Sequence, residues 1–360
     1  MAYSIQNVFH YLILSLLALS LSACPQTADD KPDADPQPST QASQQVYFTD
    51  PLLDDSESPQ NSETVDQVLC KWLDQSQHSL DMAAFELDLP CVQDSLITAK
   101  KRGVKVRLVV DSENPSPELK AIAKAGIPIV GDQRGALMHN KFIVRDQKAL
   151  WTGSLNFTVN GVERNHNNAI YFENTDLARV YQAEFEEMFL EYSFGPKSPQ
   201  QKLPQLVDLD YQGQKTQAEV FFAPEDPVRQ RLLDLLKQAK SSIYFMAFSF
   251  TDDELGKLLK IQAQAGVKIH GLFETTGSGT KFSEFKGLKK QGLDVKTDGS
   301  TKVILHHKVF VIDENIVVTG SYNFSKNADR SNDENMLILH NAALAKEYLN
   351  EFKRLYTRAQ

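Results

Sequence analysis

Two regions of the chain alternate helix-like and strand-like patterns of apolar and polar residues in the same order. The helix-like segments, with apolar residues three or four positions apart, are residues 65–75, 92–102, 228–239 and 253–265. A short apolar run rich in β-branched residues follows at 104–110 in the first region and at 267–273 in the second. Gly103 and Gly266 precede these runs, where a helix is expected to end. The alternation predicts an α/β fold in which helices cover a sheet.

The two regions also match residue by residue. Residues 79–85 (SLDMAAF) align with 242–248 (SIYFMAF), and 103–106 (GVKV) align with 266–269 (GVKI). The body of the chain is therefore interpreted as a duplicated domain.

The repeat sets the predicted domain boundaries. We place lobe one at 46–197 and lobe two at 216–360, joined by a linker at 198–215 that begins rich in Pro and Gln. Further strand-like runs late in each lobe indicate hairpins, so each sheet is predicted to be mixed.

The chain begins with an apolar segment typical of an export signal. Residues 11–23 are apolar or Ser, a run of about 13 residues, which is too short to span a membrane. The segment ends in Leu21-Ser22-Ala23-Cys24, which resembles the lipobox of bacterial lipoproteins, where the cysteine is acylated. No Lys or Arg precedes it, and a plain secretory signal or a buried apolar helix are the alternatives. We predict a signal peptide at 1–24, lipidation of Cys24 and a lipid-anchored place in the bacterial cell envelope (outer membrane or periplasm), with secretion as the alternative.

The charge of the chain is concentrated near its N-terminus. Residues 25–45 contain four prolines and no large apolar side chain, which predicts a disordered tether. Residues 25–66 hold ten acidic residues and one basic residue, so they account for the whole net charge of −9. The lobes are close to neutral, and the acidic balance is weak evidence against a polyanionic partner.

The three cysteines are too few for a disulfide scaffold. Export would permit a disulfide between Cys70 and Cys91. Two buried free thiols are the alternative.

One pattern of chemically active residues occurs at the same spacing in both lobes. It consists of His139, Lys141, Asp146, Gly153, Ser154 and Asn156 in lobe one, and His306, Lys308, Asp313, Gly320, Ser321 and Asn323 in lobe two. A two-residue turn at 147–148 would set Lys141 opposite Ser154 and His139 opposite Asn156, and a turn at 314–315 would do the same in lobe two. The imidazole, ammonium, hydroxyl and carboxamide gathered in this way suit a phosphate group.

The spaced pattern H-x-K-x4-D-x6-G-S-x-N resembles the HKD signature of the phospholipase D superfamily, and it is complete twice. The likeness covers roughly residues 45–360, and the short lobes look most like the small bacterial nuclease and cardiolipin-hydrolase branch. It implies two lobes related by a pseudo-twofold axis, with both motifs acting on one phosphodiester substrate in a monomer and with no metal or other cofactor. One histidine would attack phosphorus to form a phosphohistidine, while the other would protonate the leaving oxygen and then activate water.

The resemblance also implies roles for the other motif residues. The lysines and asparagines would hold the non-bridging oxygens: Lys141, Lys308, Asn156 and Asn323. The aspartates, Asp146 and Asp313, would brace the fold, and the serines, Ser154 and Ser321, would be supporting donors.

The family usually has an acid about 28 positions after the motif histidine, which bonds the imidazole. Glu334 has that position in lobe two, whereas Asn167 has it in lobe one. Because a carboxylate partner favours the imidazolium, we expect His306 to be the general acid and His139 the neutral nucleophile.

Several functions fit these residues. Hydrolysis of a phospholipid headgroup is favoured by the predicted membrane anchor, and a metal-independent endonuclease acting on DNA or RNA is the first alternative. Phosphatidyl transfer, as in cardiolipin synthases, could use the same intermediate. A non-catalytic phosphate-binding envelope protein would have no need of two paired nucleophiles.

Overall fold

The computed structural model describes residues 44–51, 63–200 and 206–360. The predicted signal peptide with Cys24 lies outside the described residues, and so does the predicted tether apart from Gln44 and Gln45. These two residues open the first strand, so lobe one begins two residues earlier than the sequence predicted.

Lobe one is a mixed sheet with helices on both faces. Its strands in the described part of the chain are β1 (Gln44–Phe48), β2 (Ser79–Ala84), β3 (Lys105–Val110), β4 (Ile129–Gly131), β5 (Lys141–Arg145), β6 (Ala149–Gly153), β7 (Asn165–His166) and β8 (Asn168–Glu173). Its helices there are α1 (Val65–Asp74), α2 (Pro90–Lys101), α3 (Pro117–Lys124), α4 (Val159–Glu163) and α5 (Thr175–Leu190). The sheet order is β1-β8-β6-β5-β2-β3-β4, in which only the β2–β3 and β3–β4 pairs are parallel.

Lobe two repeats this design. Its described strands are β9 (Leu206–Tyr211), β10 (Gln214–Ala223), β11 (Ser242–Ala247), β12 (Lys268–Phe273), β13 (Asp294–Thr297), β14 (Ile304–Leu305), β15 (Lys308–Ile312), β16 (Ile316–Gly320) and β17 (Glu334–His340). Its described helices are α6 (Val228–Gln238), α7 (Asp253–Gln264), α8 (Thr275–Ser278), α9 (Phe285–Lys290), α10 (Lys326–Arg330) and α11 (Ala342–Tyr356). The sheet order is β13-β12-β11-β15-β16-β17-β10-β9, again with parallel pairing only among β11, β12 and β13.

The two sheets have the same strand order, except that lobe two carries the additional edge strand β9. This confirms the duplicated α/β fold, and the predicted helices are found as α1, α2, α6 and α7. The predicted linker at 198–215 was wrong for its second half, because β9 pairs with β10 there. The reason is the alternation in β9, where Val207, Leu209 and Tyr211 are buried against the core.

The long helices α5 and α11 share one core with both sheets. Tyr181 of α5 packs edge-on against Phe142 of its own lobe and against Phe222 of lobe two. Tyr348 of α11 packs edge-on against Phe48 of lobe one. Each lobe therefore buries its last helix partly against the other lobe, which holds the two halves of the molecule in one body.

The outer faces of the sheets are covered by separate apolar clusters, one in each lobe. In lobe one, Cys70 of α1 and Cys91 of α2 are joined by a disulfide with their Cα atoms 6.1 Å apart. None of the described helices is long and apolar enough to cross a bilayer.

Candidate active site

The two motif strands form hairpins, but the register differs by one residue from the prediction. Phe142 lies opposite Thr152, and Phe310 lies opposite Val318 in lobe two. The turns therefore have three residues, not two. The predicted opposite pairs were wrong: Lys141 with Ser154, His139 with Asn156, Lys308 with Ser321 and His306 with Asn323.

The extra turn residue in each lobe is the motif aspartate, which adopts a left-handed conformation. The φ angle is 53° for Asp146 and 51° for Asp313. This conformation lets the carboxylate of Asp146 accept hydrogen bonds from the backbone N–H groups of residues 77–79, where β2 begins. Asp313 does the same for residues 240–242, where β11 begins. Each aspartate thus ties its hairpin to the start of a neighbouring strand.

These backbone donors also control the ionisation of the two aspartates. Burial would raise the pKa of Asp146 and Asp313, but the backbone N–H groups outweigh burial and hold each pKa below its ordinary value. The braces therefore stay charged.

A glycine ends the second strand of each hairpin and turns the chain towards the site. Gly153 has a φ of 143°, and a Cβ there would lie 2.4 Å from the carbonyl oxygen of Asn168. Gly320 has a φ of 124° and the same close approach to Asn335. Only glycine fits this contact, which explains the glycine in each motif.

The two motif histidines are held by partners from the opposite lobes. Nδ1 of His139 lies 2.6 Å from Oε2 of Glu334, and Nδ1 of His306 lies 2.8 Å from Oδ1 of Asn167. The predicted pairing of Glu334 with His306 was therefore wrong. A carboxylate partner therefore does not distinguish His306 as the general acid.

The exchange of partners follows from the path of the backbone. The backbone N–H of His139 donates to the carbonyl of Asp333 at 2.8 Å, and that of His306 donates to the carbonyl of His166 at 2.9 Å. The short strands β7 and β14 pair in parallel between the lobes. Each segment before a partner residue thus contacts the other lobe and places that residue beside the other lobe's histidine.

The motif serines hold these partner residues in place. Oγ of Ser154 donates to Oδ1 of Asn167 at 2.8 Å, and Oγ of Ser321 donates to Oε2 of Glu334 at 2.7 Å. The Asn167 amide is fixed further because its Nδ2 donates to the carbonyl of Gly161. Its Oδ1 must therefore accept from His306, so Nδ1 of that ring carries hydrogen and Nε2 remains for chemistry.

Each motif lysine lies beside its histidine and an aromatic ring. Nζ of Lys141 donates to the backbone carbonyl of His139 at 2.6 Å and lies 4.8 Å from the ring centre of Phe85. Lys308 has the same distance to Phe248. The sequence analysis did not assign these phenylalanines, although both end the matched segments 79–85 and 242–248.

The histidines and lysines are deeply buried, with exposures between 1% and 7%. Burial lowers the pKa of His139 and His306 well below the ordinary imidazole value, and the two ammonium groups lower it further. Burial also lowers the pKa of Lys141 to about 7 and that of Lys308 well below its ordinary value. An anion bound among these groups would favour their charged forms, so the site is suited to bind a negative phosphate.

Glu334 is the buried acid of the site. Burial raises its pKa to about 7, against the opposing attraction of Lys141 and the hydrogen bonds from Ser321 and Asn332. Its carboxylate form is thus available from neutral pH upwards.

The motif asparagines lie in unequal surroundings. Nδ2 of Asn156 donates to Oε2 of Glu86 at 2.7 Å. Glu86 directly follows the matched segment 79–85 in lobe one. The residue at the corresponding position in lobe two is Ser249, which offers Asn323 no carboxylate. This is a difference between half-sites that the sequence analysis missed, although it appears when the alignment of 79–85 with 242–248 is extended by one residue.

The residues between each motif histidine and lysine belong to the lobe interface. Asn140 accepts a hydrogen bond from Nδ2 of Asn335 at 2.8 Å. His307 is fully buried, with Nδ1 3.0 Å from Nδ2 of Asn168 and Nε2 3.4 Å from Glu351.

A separate group of acids lies outside this site. Oxygens of Glu184, Glu187 and Glu225 lie within 4.8 Å of one another, where α5 meets the turn after β10. The sequence analysis found no such cluster, because its members come from different lobes.

Comparison with known families agrees with the two-lobe geometry. A family profile described as "Cardiolipin synthase, PLD-like domain" matches residues 69–189 and again residues 232–356. The two matches together cover more than half of the chain and fall one in each lobe.

Individual proteins give the same result. The mitochondrial cardiolipin hydrolase of Xenopus laevis is 32% identical over 120 residues, which is 32% of this chain and 57% of that protein. The phospholipase D of Rickettsia prowazekii is 33% identical over 137 residues, which is 38% of this chain and 66% of that protein. The crystal structure of phosphatidylserine synthase from Haemophilus influenzae has a TM-score of 0.65 at 11% identity, covering 81% of this chain and 84% of that one. At that identity the likeness shows the fold alone.

Proposed function

Because the chain belongs to the phospholipase D superfamily, we propose that it is a phosphodiesterase that hydrolyses the headgroup bond of a phospholipid. The observation that carries this proposal is the single buried site in which His139 and His306 are held by Glu334 and Asn167 from the opposite lobes. Two imidazoles with fixed Nδ1 atoms and two ammonium groups provide a nucleophile, an acid and charge stabilisation for one phosphate.

In the first step, Nε2 of His139 attacks phosphorus and forms a P–N bond. The P–O bond to the headgroup breaks, and His306 gives its Nε2 proton to the leaving oxygen. The ammonium groups of Lys141 and Lys308 stabilise the negative charge that develops on the non-bridging oxygens.

In the second step, water attacks phosphorus and the P–N bond breaks. The now neutral His306 accepts the proton from water, which restores both rings. The products are the free alcohol and phosphatidate.

The choice of His139 as nucleophile rests on its carboxylate partner. A phosphorylated imidazole that keeps hydrogen on Nδ1 carries a positive ring charge, and the Glu334 carboxylate compensates that charge. Asn167 offers His306 no such charge, so a His306 imidazolium gives up its proton more readily.

A panel of substrates tests the proposed function. The full chain in neutral detergent with EDTA is assayed against phosphatidylcholine, phosphatidylethanolamine, cardiolipin, bis(4-nitrophenyl) phosphate, and single- and double-stranded DNA and RNA. We expect release of headgroup alcohol and phosphatidate. Faster cleavage of nucleic acid than of any lipid would instead identify an endonuclease, and formation of a new phosphatidyl ester would identify a transferase. No turnover of any diester would contradict the proposal.

We also propose that the protein is exported and anchored through Cys24. The Leu21-Ser22-Ala23-Cys24 segment supports this, and the disulfide between Cys70 and Cys91 fits an oxidising compartment. Labelling of growing cells with a palmitate analogue should mark the protein and not its Cys24→Ala variant. Equal labelling of both, or of neither, would contradict the anchor.

A further inference from the structure

The carboxylate of Glu86 belongs to the half-site of lobe one and has no counterpart at the corresponding position of lobe two. Glu86 directly follows Phe85, whose ring packs against the His139 ring with their centres 4.8 Å apart. It accepts a hydrogen bond from Asn156, a residue of the motif. Because the corresponding residue of lobe two is Ser249, only one half-site carries this negative charge.

Glu86 also lines a cavity of about 470 Å³ between the lobes. Asp88 is in the same wall, but its Oδ1 accepts the backbone N–H of Val159 at the start of α4. The basic residues of the lining, Arg164 and Lys302, are exposed. The half-buried Glu86 next to Asn156 is therefore the acidic group of the cavity that lies nearest the motif.

Besides Glu86 next to the lobe-one motif, the cavity has lining residues close to His306. Its lining includes Asn165 and Ile304, which are paired across β7 and β14. Two residues further along the chain from each of them are Asn167 and His306, which are hydrogen-bonded to each other. In the proposed mechanism His306 protonates the leaving alcohol, so this cavity is where the leaving alcohol would lie.

We propose that this cavity is a subsite for a leaving alcohol that carries an ammonium group, and that Glu86 selects for it. This inference rests on the proposed phosphodiesterase function. In a choline or ethanolamine ester the cationic nitrogen is two carbons from the ester oxygen, so it would enter the cavity next to the phosphate site. A half-buried carboxylate attracts such a cation more strongly than an exposed one would. The same charge repels a further phosphate group at this end of the cavity.

Two substrates of matched shape test this subsite. Phosphatidylcholine is compared with the phosphatidyl ester of 3,3-dimethylbutanol, in which a neutral carbon replaces the choline nitrogen. Both are presented in neutral detergent micelles to the full chain. The quantity measured is the preference, which is kcat/KM for phosphatidylcholine divided by kcat/KM for the neutral ester.

The wild-type protein should prefer phosphatidylcholine, and Glu86→Gln should lower this preference about tenfold, because it removes one charge-assisted contact. Glu86→Ser, which copies lobe two, should lower it similarly. Glu113→Gln is the matched control, because Glu113 is an exposed carboxylate beside the cavity residue Asn114, and it should keep the wild-type preference.

The outcomes separate the subsite from the proposed function. A preference that is unchanged in Glu86→Gln, with both substrates slowed equally, would show that Glu86 only positions Asn156, and it would overturn the inference. Cleavage of bis(4-nitrophenyl) phosphate without cleavage of phosphatidylcholine would also overturn it, while leaving a phosphodiesterase. Failure to cleave any diester would remove the proposed function itself.

Discussion

The two half-sites of this molecule have the same backbone design but different charges. In both, a histidine and a lysine precede a hairpin whose aspartate braces the fold, and a glycine turns a serine towards the site. The half-site of His139 receives the carboxylate Glu334, whereas the half-site of His306 receives the amide Asn167. In the proposed mechanism this difference gives the role of nucleophile to His139 and the role of acid to His306.

The largest effect should come from removing either imidazole. His139→Ala and His306→Ala should each lower phosphatidylcholine hydrolysis by about 10⁴-fold, because either change removes a step of the reaction. His78→Ala, an exposed histidine, is the control and should leave the rate unchanged.

A substrate whose leaving group needs no proton should distinguish His139→Ala from His306→Ala, because only the nucleophile is then required for the first step. With bis(4-nitrophenyl) phosphate, His306→Ala should release one equivalent of 4-nitrophenolate in a burst and then stop, whereas His139→Ala should show no burst. Stopped-flow absorbance measures both. A burst in His139→Ala would reverse the roles assigned to the half-sites.

Removing the charge difference should have the next largest effect. Glu334→Gln gives both histidines an amide partner and should lower kcat about 10²-fold, because no charge then compensates the phosphorylated ring. Asn167→Ala should lower kcat only about tenfold, since it removes an orienting contact and no charge. Thermal unfolding of each variant controls for loss of structure. Equal losses of kcat in Glu334→Gln and Asn167→Ala would show that the charge of Glu334 does not distinguish the two half-sites.

The same carboxylate should give the site its pH dependence. Since burial raises the pKa of Glu334 to about 7, the fraction of carboxylate rises as pH increases through 7. We expect kcat/KM to rise with this carboxylate until Lys141, whose pKa burial lowers to about 7, loses its charge, and the rising limb should be absent in Glu334→Gln. A rising limb that persists in Glu334→Gln would be inconsistent with this role.

The smallest expected effect is on the free energy of unfolding, through the group of acids formed by Glu184, Glu187 and Glu225. Burial raises the pKa of Glu187 to about 7 and that of Glu225 to about 8, both above the value of 4.5 expected when unfolded. The folded state therefore binds protons more tightly, so this stabilisation is full below pH 4.5 and is lost as pH rises through 7 to 8.

Urea unfolding at pH 5 and pH 8.5, with EDTA present, measures this loss. Glu225→Gln should make the free energy of unfolding less dependent on pH than in the wild-type protein. A dependence that is unchanged in the variant would show that the cluster does not bind these protons.

The duplicated fold and the identity of the motif residues could be predicted from the sequence, because both depend on local periodicity and spacing. The braces by Asp146 and Asp313 also followed from the motif. The register of the hairpins did not, because Asp adopts the left-handed conformation less often than glycine and Gln147 gives no sign of it.

The exchange of partners between the lobes could not be predicted from spacing. Glu334 is 195 residues from His139, and Asn167 is 139 residues from His306. These contacts arise where β7 and β14 pair between the lobes, and a two-residue strand leaves no periodic signal in the sequence. Strand β9 was missed for a different reason, because the Pro- and Gln-rich segment before it concealed a short alternating run.

The most direct test of the account is to identify the residue that carries the covalent phosphate. The full chain is mixed with bis(4-nitrophenyl) phosphate and quenched during the burst. Mass spectrometry of the peptides, under conditions that preserve phosphohistidine, then locates the label. We expect a 4-nitrophenyl phosphoryl group on His139, lost in His139→Ala and retained in His306→Ala. A label on His306, or burst kinetics with no covalent adduct on either histidine, would contradict it.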